Sequence, residues 1–210
     1  MEEQKKYWDK VSDTKKFTTP FRMDLFKSHV SKNCSVLDFG CGYGRILSEL
    51  RSEGFDNLTG VDYSIDMIKR GKADLPEIKL IHSTSGKLPF KNDSFDAVTV
   101  VAVLTCIVDD EALEKTVDEL KRVLKPNGII YINDFLINSD LRNKKRYEKY
   151  QGHYPYGVFR LPEGALLRHF DKKRLIDLLK AFNTITFDEL LYTTMNGNKS
   201  NGFYYMGQLV

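Results

Sequence analysis

A short stretch near residue 40 combines an acid with three glycines at alternating positions: Asp38, Gly40, Gly42 and Gly44. It follows a short apolar run that we interpret as a buried strand, and it precedes a helical pattern. A turn of this kind lets a ligand lie against the main chain, because glycine has no Cβ to keep the ligand away. The carboxylate of Asp38 favours a ligand that carries positive charge.

The glycine spacing argues against a nicotinamide dinucleotide. The dinucleotide fingerprint G-x-G-x-x-G has its third glycine three residues after the second, which brings helix and strand together beside a pyrophosphate. In this chain that position is Arg45, and the acid at the strand end suits a pyrophosphate badly. A nicotinamide oxidoreductase is therefore the least favoured function.

A second acid lies at the predicted carboxyl end of the next strand. Asp62 follows the apolar run 58–61 and lies 18 residues after Gly44. In doubly wound α/β folds an acid at this position accepts hydrogen bonds from ribose hydroxyls. Tyr63 can lie against an adenine, and Ser64 can cap the next helix.

The rest of the pattern predicts the frame that positions these residues. The predicted strands are 35–37, 58–61, 77–82, 97–102 and 129–132, followed by 184–193 and 202–210. The first five alternate with helical patterns, which favours a parallel sheet. The last two are joined by the hairpin-type residues 195–201, and a helix over 171–182 precedes them.

Several motifs occur in a family-specific order: the acid and glycine stretch, then Leu88-Pro89-Phe90, then the segment 124–132. Together they resemble the class I S-adenosylmethionine-dependent methyltransferases, from about Ser35 to the C-terminus. The resemblance implies an α/β, Rossmann-like three-layer sandwich with a mostly parallel seven-stranded sheet and a C-terminal antiparallel hairpin strand. It also implies one methyltransferase domain over 1–210.

The resemblance implies S-adenosylmethionine as the cofactor. Asp38 then helps to hold the ammonium and Asp62 the ribose, while the hydroxyl of Thr84 and the backbone N–H of Ser85 serve the adenine. Many relatives carry an acid where this chain has Thr84, so that position departs from the pattern. The expected cofactor residues are Trp8, Asp38, Gly40, Gly42, Gly44, Asp62, Tyr63, Met67, Thr84, Ser85 and Val101.

Residues 1–33 are expected to form N-terminal cap helices, one over 3–11 and one that begins at Thr18 or Thr19. In the resembled family such helices often fold over the cofactor. The aromatic residues of this segment either do so here or fasten the helices to the domain; they are Tyr7, Trp8 and Phe17.

The segment 136–168 is the least typical of the family, and it contains many aromatic residues and glycines. We expect a lid over a small organic substrate. The candidates for orienting that substrate or taking its proton are His153, Tyr154 and His169. A basic run at 142–149 is either a solvated helix face or a contact for an acidic group.

Net charge, motifs and cysteine spacing limit the partners and the location that we expect for this protein. The net charge is +3, with acids and bases interspersed, which indicates neither nucleic acid nor a membrane surface. The segment after the fourth strand also lacks the Asn/Asp-Pro-Pro-Tyr pattern of methyltransferases that act on DNA bases. The three cysteines lack metal-ligand spacing and are expected to be reduced, which favours a cytoplasmic location.

We expect no metal, although Asp109, Asn133 and Asp134 could imitate a magnesium site. The function expected is methyl transfer to an oxygen or nitrogen of a small molecule. The alternatives are a peptide or protein methyltransferase, with an open groove in place of a lid, and a non-catalytic S-adenosylmethionine-binding partner subunit. The sequence leaves the acceptor and the oligomeric state open.

Overall fold

The computed structural model describes residues 2–194 and 197–210. The helices of the described part are α1 (Glu2–Val11), α2 (Met23–His29), α3 (Arg45–Ser52), α4 (Ile65–Asp74), α5 (Asp110–Val123), α6 (Leu141–Tyr150) and α7 (Lys172–Leu178), with a short 3-10 helix at Leu104–Cys106. The strands are β1 (Val36–Phe39), β2 (Leu58–Asp62), β3 (Lys79–His82), β4 (Phe95–Val101), β5 (Leu124–Phe135), β6 (Val158–Arg160), β7 (Leu166–Arg168), β8 (Phe182–Thr193) and β9 (Lys199–Leu209).

Seven strands form one sheet in the order β3-β2-β1-β4-β5-β9-β8. The strands β1 to β5 pair in parallel, whereas β9 is antiparallel to both β5 and β8. The predicted fold class is therefore confirmed, including the C-terminal antiparallel strand. The strand order reverses between β1 and β4, and open α/β sheets bind ligands at the carboxyl ends of the strands beside such a point.

Side chains of the central strands alternate between two helical layers, as the pleat of a strand requires. Leu37 and Val98 lie in a core shared with α5 and α7, while Val36 and Ala97 lie in a second core shared with α2, α3 and α4. Both faces of the sheet are thus covered, which explains the nearly continuous apolar character of β1 and β4.

Helix α2 begins at Met23, so the prediction of a start at Thr18 or Thr19 was wrong. Tertiary hydrogen bonds hold the preceding residues out of helix. The carbonyl of Thr19 accepts from Arg45 Nη2 at 2.6 Å, and that of Pro20 accepts from Asn133 Nδ2 at 2.6 Å. This segment therefore packs near the carboxyl ends of the strands, where the candidate site lies.

The segment 136–168, which the sequence predicts to be a lid, contains a helix and two short strands. Helix α6 is followed by the antiparallel pair β6 and β7, in which Val158 lies opposite Arg168. Each of these strands has only three residues, too few to give an alternating pattern. Of the predicted closing hairpin, Met195 and Asn196 lie outside the described residues. Within the described chain, no helix has both the length and the apolar character needed to cross a bilayer.

Candidate cofactor and acceptor site

A cavity of about 1620 Å³ opens along the carboxyl ends of the parallel strands. A pocket for one small ligand is typically about 300–1,000 Å³, so this cavity has room for a cofactor and a second molecule. The predicted site residues that line it are Trp8, Asp38, Gly40, Gly42, Asp62, Tyr63, Met67, Thr84, Ser85, Val101, Tyr154 and His169. Two predicted residues, Gly44 and His153, do not line it.

One end of the cavity, which we call the cofactor end, is formed by Asp38, the glycine turn 40–44 and Asp62. Gly42 has a φ of +55°, and a Cβ built on it would lie 2.5 Å from the ring of Phe17. Phe17 stacks on Tyr43 with ring centroids 5.1 Å apart and an interplanar angle of 4°. Glycine is needed here for backbone conformation and for the close approach of this aromatic cover.

Asp62 is held in place by the backbone of its own site. Its Oδ2 accepts from the N–H of Gly42 at 2.8 Å, and its Oδ1 accepts from the N–H of Ser64 at 2.8 Å. Burial raises the pKa of Asp62, and the two N–H donors act in the opposite direction. Each carboxylate oxygen keeps a further lone pair, so Asp62 can accept from a diol while the glycine turn fixes its position.

One carboxylate oxygen of Asp38 accepts a hydrogen bond, and the other has no hydrogen-bond partner among the described residues. Its Oδ1 accepts from Thr99 Oγ1 at 2.7 Å, across the pairing of β1 with β4. Its Oδ2 is buried and has no hydrogen-bond partner in the described chain. Burial raises the pKa of Asp38 to about 7. An unpartnered carboxylate oxygen beside a ligand cavity fits a cofactor that brings an ammonium group.

Gly44 has a structural position that the glycine pattern alone did not reveal. It is the residue before α3, with a φ of +87°, and a Cβ on it would lie 2.8 Å from Leu75 Cδ1. The structure therefore does not support its predicted contact with the cofactor. Gly44 instead permits the left-handed turn that starts α3 and its packing against the segment after α4.

The residues predicted to meet the adenine lie toward the surface: Tyr63 is half-buried, and Thr84 and Ser85 are exposed at the rim of the cavity. Met67, another expected cofactor residue, is buried. The hydroxyl of Ser85 accepts from the N–H of Lys87 at 3.1 Å. Val101 is the last residue of β4 and lines the cavity.

The opposite end, which we call the acceptor end, is lined by Phe135, Phe159, His169 and Tyr192. The His169 ring lies 5.5 Å from that of Phe135, nearly parallel to it, and 4.7 Å from that of Phe159, edge to face. Tyr154 lies at the rim with 37% of its surface exposed. The acceptor end is therefore mainly aromatic.

The two predicted histidines differ in whether they reach the cavity. His153 is exposed on the loop after α6 and does not reach the cavity. His169 does reach it, but burial and the nearby Arg146 and Arg142 lower the pKa of His169 to about 3. A histidine with that pKa stays neutral at physiological pH and takes up a proton poorly.

The three residues that could imitate a magnesium site have other partners. Asp109 caps α5 by accepting from the N–H of Ala112 at 2.8 Å. Asn133 donates to the carbonyl of Pro20 and accepts from the hydroxyl of Tyr192. Asp134 accepts from the N–H groups of Thr105 and Phe135 at 3.0 and 2.9 Å. Each of the three therefore has an assigned structural contact.

The sheet order, the glycine turn and the two strand-end acids define the class I methyltransferase fold. Residues 37–132 match a family model described as "Methyltransferase domain". This match and the fold are those of a class I S-adenosylmethionine-dependent methyltransferase, and the cofactor of such enzymes is S-adenosylmethionine.

Three known proteins illustrate what this chain is similar to. A solved S-adenosylmethionine-dependent methyltransferase from Methanosarcina mazei is 27% identical, with a TM-score of 0.84, over 92% of this chain and 99% of that one. A demethylmenaquinone methyltransferase from Listeria welshimeri is 37% identical over 108 residues, 47% of this chain and 44% of that protein. This chain thus matches less than half the length of that curated relative.

The third is a Burkholderia thailandensis 1,6-didemethyltoxoflavin-N1-methyltransferase, solved with 1,6-didemethyltoxoflavin and S-adenosylhomocysteine. It is 17% identical with a TM-score of 0.65, over 89% of this chain and 76% of that one. At this identity the likeness concerns the fold alone.

Proposed function

We propose that this protein transfers the methyl group of S-adenosylmethionine to an oxygen or nitrogen atom of a small molecule. The observation that carries the proposal is the continuity of the cavity. It runs from Asp38 and Asp62 at the cofactor end to the aromatic side chains of the acceptor end. A similar curated protein is named for a small-molecule acceptor, demethylmenaquinone.

When bound, S-adenosylmethionine supplies a methyl group that is already electrophilic. The residues of this chain then have three tasks: to bind the cofactor, to exclude water and to align the acceptor. Asp38 would pair with the ammonium, and Asp62 would accept from the ribose hydroxyls. Phe17 and Trp8, whose ring centroids are 6.0 Å apart, cover the cofactor end.

The acceptor atom would supply the lone pair that takes up this methyl group, and S-adenosylhomocysteine would be the leaving group. A proton on the acceptor atom must leave at some stage. Burial and two nearby arginines lower the pKa of His169 to about 3, which disfavours this histidine as the base for that proton. The proposal therefore favours an acceptor atom that is ionised, or that carries a free lone pair, before transfer.

A peptide or protein substrate is less well supported, because two segments that line the cavity are joined by hydrogen bonds. The side chain of Gln4 in α1 donates to the carbonyl of Leu166 in β7 and accepts from its N–H, at 3.3 Å in the second case. Both residues line the cavity. We infer that 136–168 acts as a lid over a small acceptor.

We also infer a cytoplasmic location, because Cys34, Cys41 and Cys106 are free thiols and free thiols are typical of reducing compartments.

The proposed activity is tested by incubating the protein with methyl-labelled S-adenosylmethionine and pools of small aromatic and carboxylate compounds. The proposal expects acceptor-dependent formation of S-adenosylhomocysteine, lost in Asp62→Ala. If S-adenosylhomocysteine binds but no pool is methylated and a peptide library is, the acceptor class is wrong. Binding with no acceptor of either kind supports the non-catalytic alternative.

A further inference from the structure

The hydrogen bonds around His169 identify which of its ring nitrogens carries the proton. Nδ1 lies 2.7 Å from the hydroxyl of Tyr147 and 3.2 Å from Nδ2 of Asn138. The orientation of the Asn138 amide is fixed, because its Oδ1 accepts from the N–H of Asn201 at 2.8 Å. Its Nδ2 is therefore a donor.

The Tyr147 hydroxyl is a donor toward His169 for a similar reason. Its oxygen accepts from the N–H of Asn138 at 3.2 Å, so its own hydrogen is free to point at Nδ1. Asn138 Nδ2 also donates to the carbonyl of Leu136 at 2.9 Å and to Ser200 Oγ at 3.2 Å, so the Tyr147 hydroxyl is the main donor directed at Nδ1. The neutral imidazole then holds its proton on Nε2. No described residue accepts a hydrogen bond from Nε2, and His169 lines the cavity. The ring therefore offers an N–H to a ligand.

A guanidinium lies near this N–H donor. Arg146 is half-buried in α6, and its Cζ lies 3.6 Å from the centroid of the Phe159 ring, the same ring that contacts His169. Its Nη1 donates to Asn143 Oδ1 at 2.9 Å. Among the described side chains, no carboxylate forms an ion pair with Arg146. Glu163, exposed near the tip of the β6–β7 hairpin, also lines the cavity.

Asp140 and Glu163 act on Arg146 by longer-range attraction, but no described carboxylate lies at ion-pair distance from it. A half-buried cation of this kind, facing a cavity, is suited to an anionic ligand. The walls beside it are flat aromatic rings and aliphatic side chains, which suit a planar ring. Arg142 adds a second positive charge at the same opening, although Asp140 lies 3.8 Å from its Nε. The acceptor end thus combines an aromatic slot, an N–H donor and positive charge.

We propose that the acceptor is a planar aromatic anion, held by Arg146 through its negative group and by the Nε2–H of His169 through an oxygen or nitrogen lone pair. This inference rests on the proposed methyl transfer and names its substrate class. His169 is then a positioning donor for the acceptor, and Arg146 selects charged over neutral ring compounds.

The test uses pairs of compounds, each made of a carboxylate and the neutral amide of the same ring. One pair is 4-hydroxybenzoate with 4-hydroxybenzamide, a second has two fused rings, and a third has a nitrogen heterocycle. Each is titrated into protein saturated with S-adenosylhomocysteine. We expect at least one carboxylate to bind about tenfold more tightly than its amide, as a charge-assisted contact predicts. Arg146→Gln should abolish that preference and Arg146→Lys should keep part of it.

The matched control is Lys145→Gln, which removes the same charge from an exposed position of the same helix. It should keep the preference, and every variant should keep its affinity for S-adenosylhomocysteine. Equal binding of acid and amide in all pairs, binding of neither, or a preference that survives Arg146→Gln would overturn the inference. Failure of S-adenosylhomocysteine to bind would instead overturn the proposed function.

The position of the histidine proton is tested separately on the unmodified protein. ¹⁵N NMR of the imidazoles should show His169 as a neutral ring protonated at Nε2, with no change between pH 5 and 8. A proton on Nδ1, or a titration near pH 6.5, would contradict the donor assignment.

Discussion

The two ends of the cavity are built differently. At the cofactor end, the backbone fixes the functional groups: Asp62 accepts from the N–H groups of Gly42 and Ser64, and Asp38 lies within a paired strand. At the acceptor end, side chains fix one another. His169 is oriented by Tyr147 and Asn138, which belong to the lid segment rather than to the sheet.

This difference explains how one fold serves many acceptors. Strand ends and a glycine turn cannot change without disturbing the sheet, so they suit the ligand that all members share. The lid contributes short elements, α6 and the β6–β7 pair, outside the seven-stranded sheet. Their side chains can change while the cofactor end is preserved, which is why fold alone does not name a substrate.

The largest effect is expected at the cofactor end. Asp62→Ala should weaken S-adenosylhomocysteine binding by about 1.5–3 kcal/mol, roughly 10-fold to 150-fold, because charge-assisted hydrogen bonds to the ribose are lost. Titration calorimetry of folded protein measures it. Asp66→Ala removes a partly exposed carboxylate from the nearby α4 and should change little. An unchanged affinity in Asp62→Ala would remove the ribose assignment.

A pH dependence should also separate the two ends. Asp38 must be ionised to pair with an ammonium, and its pKa is raised to about 7 by burial, with Arg45 and Thr99 opposing the shift and Asp62 and Glu49 supporting it. The affinity for S-adenosylhomocysteine should therefore rise with pH, by about tenfold between pH 6 and 8.

The same measurement on Asp38→Asn should give a weaker affinity that no longer depends on pH over this range. The affinity for the acceptor should not change with pH through the titration of His169, since the pKa of His169 is lowered to about 3. A flat affinity profile in the unmodified protein, or an unaltered slope in Asp38→Asn, would contradict the role of Asp38.

Gly42→Ala tests the aromatic cover. The new Cβ would lie 2.5 Å from the Phe17 ring at a φ of +55°, so Phe17 must move away from the glycine turn. We expect a stability loss of about 1–3 kcal/mol and a cofactor affinity about fivefold lower. Thermal unfolding and calorimetry measure the two effects. Gly86→Ala is the control, because nothing lies within 4 Å of its added Cβ.

The smallest effect is expected at the contact between helix α1 and strand β7. Gln4→Ala removes the hydrogen bonds between α1 and Leu166, each worth about 1 kcal/mol. Steady-state kinetics with an identified acceptor should show its KM raised about fivefold, with the cofactor affinity nearly unchanged. Lys10→Ala, on the exposed side of α1, should leave both values as they are. An effect on the cofactor alone would show that this contact does not belong to the acceptor end.

The residues of the cofactor end could be predicted because their chemistry is local. Asp38, Gly42 and Asp62 lie at strand ends, where a short pattern determines both backbone and position. Gly44 shared the pattern but serves the start of α3, which only the packing with Leu75 reveals. Thr99 was missed because its bond to Asp38 depends on strand pairing between residues far apart in sequence.

The acceptor end could be predicted only as a lid segment. His153 and His169 have the same side chain, yet one is exposed and the other buried, and no sequence pattern distinguishes them. Arg146 belongs to a basic run that resembles a solvated helix face. Its contact with Phe159 exists only because the β6–β7 pair folds back onto α6. Tertiary packing rather than local propensity makes this end of the cavity.

The central claim is that the cavity holds S-adenosylmethionine. It is tested most directly by calorimetric titration of the purified protein with S-adenosylmethionine, with S-adenosylhomocysteine and with NADH. We predict that the first two bind with one site per chain and that NADH does not. Binding of NADH alone, or of none of the three, would contradict the assignment of Asp38, Asp62 and the glycine turn.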